Sequence, residues 1–282
     1  MLTVIDIIKK TADFLTAKGV ESARFNAETL VGHALGLSRM KLYLQFERVL
    51  TEQELVVIRP MVRRRGQREP LQYIIGHVDF SGITLKVDKR ALIPRPETEY
   101  LIEKIKARFA ENNSNSILDL GTGTGAIALA LAHHFPNAHV TALDVSTDAL
   151  DLARENAHTL NLHARLEFNE SSWFSALQSG RQFNLIISNP PYLTTREVEQ
   201  ASLEVNKFEP LSALVSEDEG LLHITHIITH AKSRLLPGGL LALETGESQH
   251  AAIELLSEKL GYSKFESCND LAGKSRYAFM AV

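Results

Sequence analysis

From about residue 116 onward, short apolar segments alternate with helical patterns, and this alternation limits the folds that the chain can adopt. Helical patterns separate most of the segments, as in parallel sheets that are covered by helices on both faces. A short loop joins the last two segments, so one of these two strands is expected to be antiparallel. The predicted fold class is therefore α/β. The predicted strands are 117–120, 139–143, 164–168, 183–188, 239–244, 262–268 and 276–281.

Residues 1–70 have apolar side chains at the 3.6-residue spacing of amphipathic helices. Gly19 and Gly36 are expected to end the first two helices, because glycine is common just after a helix C-terminus. Thr51 and Glu54 have the spacing of a capping box at the start of the fourth helix. This region is predicted to form a small helical bundle.

Three consecutive arginines, Arg63, Arg64 and Arg65, stand at the end of the fourth predicted helix. Positive charge at this position complements the helix dipole. That interpretation is slightly favoured over a basic patch that binds a partner, and the two are compatible.

Between residues 71 and 95 the apolar period changes to two around Ser81–Gly82. This pattern is typical of a β-hairpin, which is interpreted as a linker. Pro96 then stands near the first turn of a helix. The chain is thus predicted to consist of a helical bundle (1–70), a hairpin linker (71–95) and an α/β domain (96–282).

Charge and cysteine content argue against several classes of protein. The 282 residues carry a formal net charge of −4, so the chain is not expected to coat nucleic acid or an anionic membrane. The single cysteine, Cys268, cannot form an internal disulfide, which fits a reducing, cytoplasmic location. The first residues are amphipathic and do not resemble a signal peptide, and no apolar run approaches the roughly 20 residues of a membrane span.

The eleven histidines do not have the spacing of zinc ligands. His223, His226 and His230 recur at helical spacing, and they are interpreted as the solvated face of a helix. No metal site is predicted.

A glycine-rich turn follows the first predicted strand of the α/β region. Its glycines allow a sharp turn and a close approach of the backbone to a ligand, and the following helix N-terminus favours an anionic group. The spacing is G-x-G-x-G, which differs from the G-x-G-x-x-G of dinucleotide enzymes. The candidate cofactor-binding residues here are Gly121, Thr122, Gly123, Thr124 and Gly125.

Asp144 ends the next predicted strand, where a carboxylate can accept hydrogen bonds from both hydroxyls of a ribose. The alternative role is a helix N-cap, for which Ser146 is also a candidate. The loop and the acid together predict adenosine binding. They do not choose between a nicotinamide cofactor and S-adenosylmethionine.

The fourth predicted strand ends at Ser188 and is followed by Asn189, Pro190, Pro191 and Tyr192. The side-chain oxygen of Asn189 and the carbonyl of Pro190 are hydrogen-bond acceptors. The prolines stiffen this segment and offer no competing N–H group. Such a pair of acceptors suits a planar –NH2 group. A simple loop breaker is the alternative, and it is disfavoured after a glycine loop and a strand-end acid.

An –NH2 group held in this way can accept a methyl group. The lone pair of an amide nitrogen is delocalised, and two acceptors that draw the hydrogens out of plane localise it without reorganisation. The proton can leave after transfer, so no strong general base is required. Tyr192 is expected to pack on the flat group or to turn its π-face toward a cationic methyl. The catalytic candidates are Asn189, Pro190 and Tyr192.

These motifs together resemble class I S-adenosylmethionine-dependent methyltransferases that act on exocyclic or amide –NH2 groups. From about residue 68 to the end, the chain is similar to the bacterial peptide chain release factor glutamine methyltransferases (the HemK/PrmC family). The N-terminal helices are similar to the small domain of that family, less distinctively. The matching segments are, in order, REPLQYIIGHVDF, ALIPRPETE, ILDLGTGTGAIALALA, ALDVSTDAL, NPPYL, FEPLSALVSEDEGL, LLPGGLLALETG and NDLAGKSRYAF.

The resemblance implies a Rossmann-like, seven-stranded sheet with a small N-terminal helical domain that grips the release factor. It implies methylation of the side-chain amide nitrogen of the glutamine in the Gly-Gly-Gln motif of release factors. S-adenosyl-L-methionine would be the methyl donor, and S-adenosyl-L-homocysteine would be the product. Asn189, Pro190, Pro191 and Tyr192 would hold the glutamine amide, and Asn189 would also touch the cofactor.

By position, the resemblance also places Trp173 against the adenine, although a buried core aromatic is a competing role for this residue. Ser172 departs from the family pattern, because related enzymes often have an acid before this tryptophan. Adenine binding would then depend more on stacking and on backbone contacts.

Three other functions remain as alternatives. Asn-Pro-Pro-Tyr also serves exocyclic amines of nucleic acids, although such enzymes usually present a basic face, and the net charge of −4 counts mildly against this. A non-catalytic ligand-binding module would have little reason to keep Asn-Pro-Pro-Tyr intact. An oxidoreductase is disfavoured by the glycine spacing.

Overall fold

The computed structural model describes residues 2–109 and 115–282. Within the described chain there are two compact units. The helical unit comprises Met1–Gly76 and Ser202–Phe208, and the α/β unit comprises His77–Ala201 and Glu209–Val282. In the described ranges, every helix is too short or too polar to cross a lipid bilayer.

The helical unit is built on helices whose apolar side chains pack in two clusters. Gly36, with a φ of +64°, ends the second helix as predicted. Thr51 and Glu54 form the predicted capping box at the start of the fourth. The helices are α1 (Val4–Ala17), α2 (Ala23–Leu35), α3 (Arg39–Leu44), α4 (Glu52–Gly66), α5 (Leu71–Ile75) and α10 (Leu203–Phe208). One cluster comprises Val4, Ile8, Ala27, Val31, Leu42, Leu50, Leu55 and Ile58, and the other comprises Leu15, Val20, Leu30, Met61, Leu71 and Ile74.

The short helix α5 differs from the sequence analysis, which placed residues 71–75 at the start of the hairpin segment. Pro70 precedes this helix with a φ of −53°, close to the helical value that its ring imposes. Gly76 ends it in the left-handed conformation, with a φ of +80°. A proline before a segment and a glycine after it are the signals of a helix, and here they override the period of two.

Two of the three consecutive arginines bind partners inside the helical unit. Arg64 donates from Nε to a carboxylate oxygen of Glu69 at 2.8 Å. Arg65 is buried, and its Nε donates to Oδ1 of Asn26 at 2.7 Å. Arg63 is exposed. Arg64 and Arg65 therefore have specific side-chain partners, in addition to any favourable interaction with the helix dipole.

Glu204 fastens α10 to the rest of the helical unit. Its Oε1 accepts from Nη2 of Arg65 and from Nε of Arg68, both at 2.8 Å, and its Oε2 accepts from Nη2 of Arg68 at 2.7 Å. Arg68 also donates to the carbonyl of Gly19 at 2.8 Å. Although α10 follows residues of the α/β unit in sequence, an ion pair shielded from solvent holds it in the helical unit.

The α/β unit begins with an antiparallel hairpin of β1 (His77–Phe80) and β2 (Ile83–Lys86). Ser81 and Gly82 form its two-residue turn, with φ values of +47° and +82°. Positive φ at both positions is typical of the tight turns that join hairpin strands. The predicted hairpin at Ser81–Gly82 is confirmed.

In the part of the chain that is described, the large sheet has seven strands in the order β5-β4-β3-β6-β7-β9-β8. All neighbouring pairs are parallel except those of β9, which runs antiparallel to both β7 and β8. The α/β class and the antiparallel strand near the C-terminus are confirmed. The strands are β3 (Ser116–Leu120), β4 (His139–Asp144), β5 (Leu166–Glu170), β6 (Phe183–Ser188), β7 (Leu235–Glu244), β8 (Lys264–Asn269) and β9 (Ser275–Ala281).

Helices cover both faces of this sheet and form two apolar clusters with it. Pro96 opens the first of these helices at N1, as the sequence predicts. They are α6 (Pro96–Lys106), α7 (Ala126–His134), α8 (Thr147–Thr159), α11 (Leu222–Ala231) and α12 (His250–Lys259), while the short helix α9 (Thr195–Gln200) follows β6 and belongs to neither cluster.

The register of the central strands brings three chain segments to one edge of the sheet. Leu120, at the end of β3, pairs with Leu143 of β4 on one side and with Ser188 of β6 on the other. The residues that follow these positions therefore emerge side by side. In open α/β sheets this carboxyl edge is where ligands bind.

Replacement of Glu204 by glutamine is expected to destabilise the helical unit at neutral pH. Arg65 and Arg68 would keep their charges without the carboxylate, and loss of one partner from a buried pair costs about 3–5 kcal/mol. Hydrogen exchange of the amides of α10 and α4 measures the effect. Glu47→Gln, on an exposed side chain, is the matched control. Equal exchange rates in Glu204→Gln and the wild type would contradict the stabilising role.

The same ion pair sets the direction of a pH dependence. Burial alone would raise the pKa of Glu204, but the hydrogen bonds from Arg68 and Arg65 outweigh it and lower the pKa to about 2. The stabilisation is therefore fully present above the unfolded pKa of about 4.3 and is lost as the pH falls toward the folded value. The difference in free energy of unfolding between the wild type and Glu204→Gln is expected to shrink as the pH falls from neutral toward 3.

Candidate active site

A cavity of about 310 Å³ lies at the carboxyl ends of β3, β4 and β6, within the α/β unit. Small-molecule sites are usually about 300–1,000 Å³. Its wall includes the glycine loop, the end of β4, the loops after β5 and β6, and the start of α11. The residues that line it include Gly121, Gly123, Asp144, Ser146, Ser172, Trp173, Asn189, Pro191 and His223.

The backbone of the glycine loop lines the cavity at Gly121 and Gly123. Gly121 and Gly123 have φ values of +72° and +55°, a conformation that residues with a side chain rarely adopt. A Cβ atom on Gly121 would lie 3.8 Å from the ring of Trp173. A side chain there would fill the space between the loop and the indole, so glycine keeps that part of the cavity open.

The two threonines of the loop are buried, and neither lines the cavity. The hydroxyl of Thr122 donates to Oδ2 of Asp119 at 2.6 Å, and Oδ2 also accepts from the backbone N–H of Ala128 at 3.2 Å. The carbonyl of Thr124 accepts from Asn156 at 3.0 Å. The threonines therefore hold the loop from the side away from the cavity, and Gly121 and Gly123 line the cavity.

Asp119 is a supporting residue that the sequence analysis missed. It is fully buried at the end of β3, and burial raises its pKa to about 7 against the opposing hydrogen bonds from Thr122 and Ala128. Within residues 2–109 and 115–282, its Oδ1 has no hydrogen-bond partner. The signal was an acid inside the apolar run that precedes the glycines.

Asp144 is half-buried at the end of β4, and its two oxygens are aimed by the backbone. Oδ2 accepts from the N–H of Gly123 at 2.8 Å, and Oδ1 accepts from the N–H of Ser146 at 2.9 Å. Burial raises its pKa, while the same backbone hydrogen bonds oppose the shift. Ser146, and not Asp144, caps α8 by accepting from the N–H of Ala149. The remaining lone pairs of Asp144 are available to hydroxyl groups in the cavity.

Trp173 and His223 lie on the same wall of the cavity. Their ring centroids are 5.2 Å apart, and the indole also packs partly against the core of the α/β unit. Burial lowers the pKa of His223, which favours a neutral ring there. Ser172 is exposed and lines the cavity beside the tryptophan. This wall therefore offers flat, uncharged surfaces.

The interpretation of His223, His226 and His230 as a solvated helix face is confirmed for two of the three. His226 and His230 are exposed on α11. His223 is half-buried and lines the cavity, so the prediction is wrong for this residue. Helical spacing alone could not distinguish it, because the contact with Trp173 joins distant parts of the chain.

Asn189 follows β6 directly, and its amide nitrogen is tied down. Nδ2 donates to Oγ1 of Thr98, in the first turn of α6, at 3.1 Å. Among the described residues, no group donates to Oδ1 of Asn189 or to the carbonyl of Pro190. Asn189 and Pro191 line the cavity, while Pro190 is buried beside them. The segment thus leaves two acceptors without an internal partner.

Tyr192 is held by both ends. Its hydroxyl donates to Oε1 of Glu244 at 3.1 Å, and its carbonyl accepts from Nε2 of Gln249 at 3.0 Å. Glu244 ends β7 and is almost completely buried, and its Oε2 accepts from the hydroxyl of Thr98 at 2.7 Å. Thr98 and Glu244 did not stand out in the sequence. The available signal was an acid that ends an apolar strand.

The side chains around the cavity fit a cofactor that carries an adenosine group. Asp144 offers fixed acceptors for a ribose, and Trp173 offers a flat ring for a base. Gly121 and Gly123 allow close approach of the backbone at the N-terminal end of α7. These are features of nucleoside sites at the carboxyl edge of α/β sheets.

Solved structures with a similar fold include methyltransferases. A methyltransferase from Pyrococcus furiosus matches with a TM-score of 0.53 and 21% identity, over 71% of this chain and 88% of that chain. The catalytic domain of human METTL16, solved with hairpin 1 of the MAT2A 3′UTR, matches with a TM-score of 0.57 and 17% identity, over 78% and 80%. At these identities the likeness concerns the fold, which is that of class I methyltransferases.

Sequence comparisons are more specific. Residues 6–76 match the model of the PrmC N-terminal domain, and residues 96–206 match the methyltransferase small domain. The release factor glutamine methyltransferase of Rhodopirellula baltica is 38% identical over 99% of this chain and 96% of its own length. Those of Vibrio cholerae and Escherichia coli are each 40% identical, over 98% and 91% of this chain and 95% and 91% of their own lengths. The chain belongs to the release factor glutamine methyltransferase family.

Proposed function

We propose that this protein uses S-adenosyl-L-methionine to methylate the side-chain amide nitrogen of the glutamine in the Gly-Gly-Gln motif of class I release factors, with S-adenosyl-L-homocysteine as the other product. Family membership supports the protein-glutamine N-methyltransferase activity and release factors as the substrates. The single observation that carries the mechanism is that Oδ1 of Asn189 and the carbonyl of Pro190 accept from no donor among the described residues, at the edge of the cavity that Asn189 lines.

The chain would hold the cofactor with residues from three loops. When bound, S-adenosylmethionine supplies an electrophilic methyl group on a sulfonium. Asp144 would accept hydrogen bonds from the ribose, and Gly121 and Gly123 would lie along the cofactor with their backbone. Trp173 would pack on the adenine. With Ser172 at the preceding position, recognition of the adenine would depend on stacking and on the backbone more than on a carboxylate.

The acceptor pair would orient the substrate amide. One hydrogen of the glutamine –NH2 would point at Oδ1 of Asn189 and the other at the carbonyl of Pro190. These acceptors would favour a nitrogen lone pair directed into the cavity, and they would do so without reorganisation. Pro191 would hold the segment stiff, and Tyr192, anchored by Glu244, would border the flat amide.

The proton balance needs no strong base. After transfer, the nitrogen carries the methyl group, both of its original hydrogens and a positive charge, so it is strongly acidic and can release one of the two protons to water. The acceptors on Asn189 and Pro190 would stabilise the developing positive charge on the –NH groups. This fits the position of Glu244, a buried acid bound to Tyr192, which accepts from Thr98 and Tyr192 and does not line the cavity.

The helical unit would bind the release factor outside its Gly-Gly-Gln loop. Arg63 is exposed and available for that role, whereas Arg64 and Arg65 bind Glu69 and Glu204. Any docking by this arginine cluster would therefore depend on Arg63. We propose the cytoplasm as the place of action, because release factors work there on ribosomes.

The activity is tested by incubation of the purified protein with labelled S-adenosylmethionine and a release factor, followed by mass mapping of the methyl group. One methyl group on the Gly-Gly-Gln glutamine is expected. A release factor with glutamate at that position is the matched control, and it should gain none because it lacks an –NH2 group. Label in digested RNA in place of protein would support the nucleic-acid alternative. Cofactor binding with no transfer to either would support a non-catalytic module.

Asn189→Ala is expected to lower kcat by about 10²- to 10³-fold, as for the loss of one preorganised polar contact. The dissociation constant of S-adenosylmethionine should change little, because Asn189 acts chiefly on the amide. Single-turnover rates and calorimetry separate the two effects. Asn169→Ala, which removes a side chain bound to Glu167 at the surface, is the control. A loss confined to cofactor affinity would contradict the role assigned to Asn189.

Asp144→Ala is expected to do the reverse and to raise the cofactor dissociation constant by about tenfold to a hundredfold, since hydrogen bonds to a charged group contribute about 1.5–3 kcal/mol. Asp144→Asn, which keeps one acceptor oxygen, should be intermediate. Because burial raises the pKa of Asp144, wild-type affinity should fall as the pH drops through that pKa. Calorimetry that finds the same dissociation constant in Asp144→Ala as in the wild type rules out the ribose assignment.

A further inference from the structure

We propose that Thr98 and Glu244 are positioning residues for the methyl transfer, because they form a directional hydrogen-bond relay that turns the oxygen of Asn189 toward the substrate amide. This inference rests on the proposed function and adds two residues to it. Neither residue lines the cavity, so both act through Asn189 and Tyr192.

The relay joins three elements of the α/β unit. Glu244 ends β7, Thr98 lies in the first turn of α6, and Asn189 follows β6. Oε2 of Glu244 accepts from the hydroxyl of Thr98 at 2.7 Å, and Oγ1 of Thr98 accepts from Nδ2 of Asn189 at 3.1 Å. Thr98 is 4% exposed and Glu244 is 1% exposed. Water therefore cannot readily replace either contact.

The chemistry of the three groups gives the relay a direction. An ionised carboxylate only accepts hydrogen bonds, and a threonine hydroxyl has a single hydrogen to donate. Once Thr98 gives that hydrogen to Glu244, it can only accept from Asn189. The side of the Asn189 amide that faces Thr98 must then be its –NH2 group. The oxygen is consequently on the other side, free to accept from a substrate.

The second oxygen of Glu244, Oε1, binds Tyr192, the other polar side chain of the Asn-Pro-Pro-Tyr motif. Tyr192 donates its hydroxyl to Oε1 at 3.1 Å. One buried carboxylate thus fixes both Asn189, through Thr98, and Tyr192, directly. Hydrogen bonds that only anchored α6 to the sheet would not need to include both Asn189 and Tyr192. Buried and fully satisfied networks of this kind hold side chains in one orientation.

Protonation of Glu244 would remove the direction of the relay. A protonated carboxyl can donate to Thr98, whose hydroxyl could then turn toward Asn189 and favour the flipped amide. Burial raises the pKa of Glu244, and the charge of Arg276 opposes that shift. Glu97 and the phenols of Tyr192 and Tyr277 are the other titratable groups that face it. Turnover at saturating cofactor should therefore fall at acid pH as Glu244 gains a proton.

The test compares Thr98→Val, which keeps the shape but loses the hydroxyl, with Thr98→Ser, which keeps the hydroxyl. Turnover on a release factor is measured at saturating S-adenosylmethionine, and cofactor affinity is measured by calorimetry. Thr98→Val should lower kcat by on the order of tenfold to a hundredfold, less than the loss of Asn189 itself, with cofactor affinity unchanged. Thr98→Ser should restore most of the turnover.

A double-mutant cycle identifies the route of the effect. In an Asn189→Ala background, Thr98→Val should cause no further loss, because its effect passes through the Asn189 oxygen. The proposal would be overturned if the double variant lost as much turnover as the two single losses combined. It would also be overturned if Thr98→Val had wild-type turnover. Should Thr98→Val fail to fold, Glu244→Gln enters the same cycle.

Glu244→Gln gives an independent readout. Its side chain has the shape of glutamate but does not titrate, so the acid limb of the kcat profile should disappear while turnover falls at neutral pH. An unchanged pH profile would overturn the role of Glu244. Wild-type protein is the positive control throughout. Its inactivity on the release factor would refute the proposed function. If the wild type is active and the Thr98→Val and Glu244→Gln variants have the same turnover as the wild type, the relay is refuted.

Discussion

The parallel pairing of β3 with β4 and β6 is the constraint on which the active site depends. Leu120 pairs with Leu143 on one side and with Ser188 on the other. A shift of one residue in either pairing would displace the next side chain by about 3.3 Å and turn it to the opposite face of the sheet. The glycine loop, Asp144 and Asn189 would then no longer meet. Packing of apolar residues on both faces fixes this register, so the core of the sheet also sets the geometry of the site.

Acidic side chains at the same edge of the sheet are buried to a degree that is unusual for carboxylates. Asp119 and Glu244 are almost fully buried, and burial raises the pKa of Asp119, Asp144 and Glu244 alike. Each holds a different part of the site: Asp119 holds Thr122 of the glycine loop, Asp144 holds the backbone of that loop, and Glu244 holds Tyr192. Burial of these carboxylates costs free energy, and their hydrogen bonds keep the backbone and side chains around the cavity in fixed orientations.

The sequence predicted the features that are local, and it missed those that depend on contacts between distant segments. The strands, the hairpin and the alternation of elements follow from short-range periodicity, and Asp144 and Asn189 stand out because each follows an apolar run. Thr98 contacts Asn189 across 91 residues and Glu244 across 146, and no spacing in the chain reveals such contacts. His223 shares the helical spacing of a solvated face, and only the tertiary contact with Trp173 distinguishes it. The roles of the predicted site residues stay predictions.

The position of α10 has a consequence for how the protein can be divided. The described chain passes from one unit to the other near Gly76, again near Ala201, and back near Glu209. Cleavage after Gly76 would therefore separate α10, which carries Glu204, from the rest of the helical unit, because α10 lies in the sequence between two segments of the α/β unit. A fragment that begins at His77 would carry this carboxylate without Arg65 and Arg68. The two units are thus interleaved in sequence, and a single cut in the chain does not separate them.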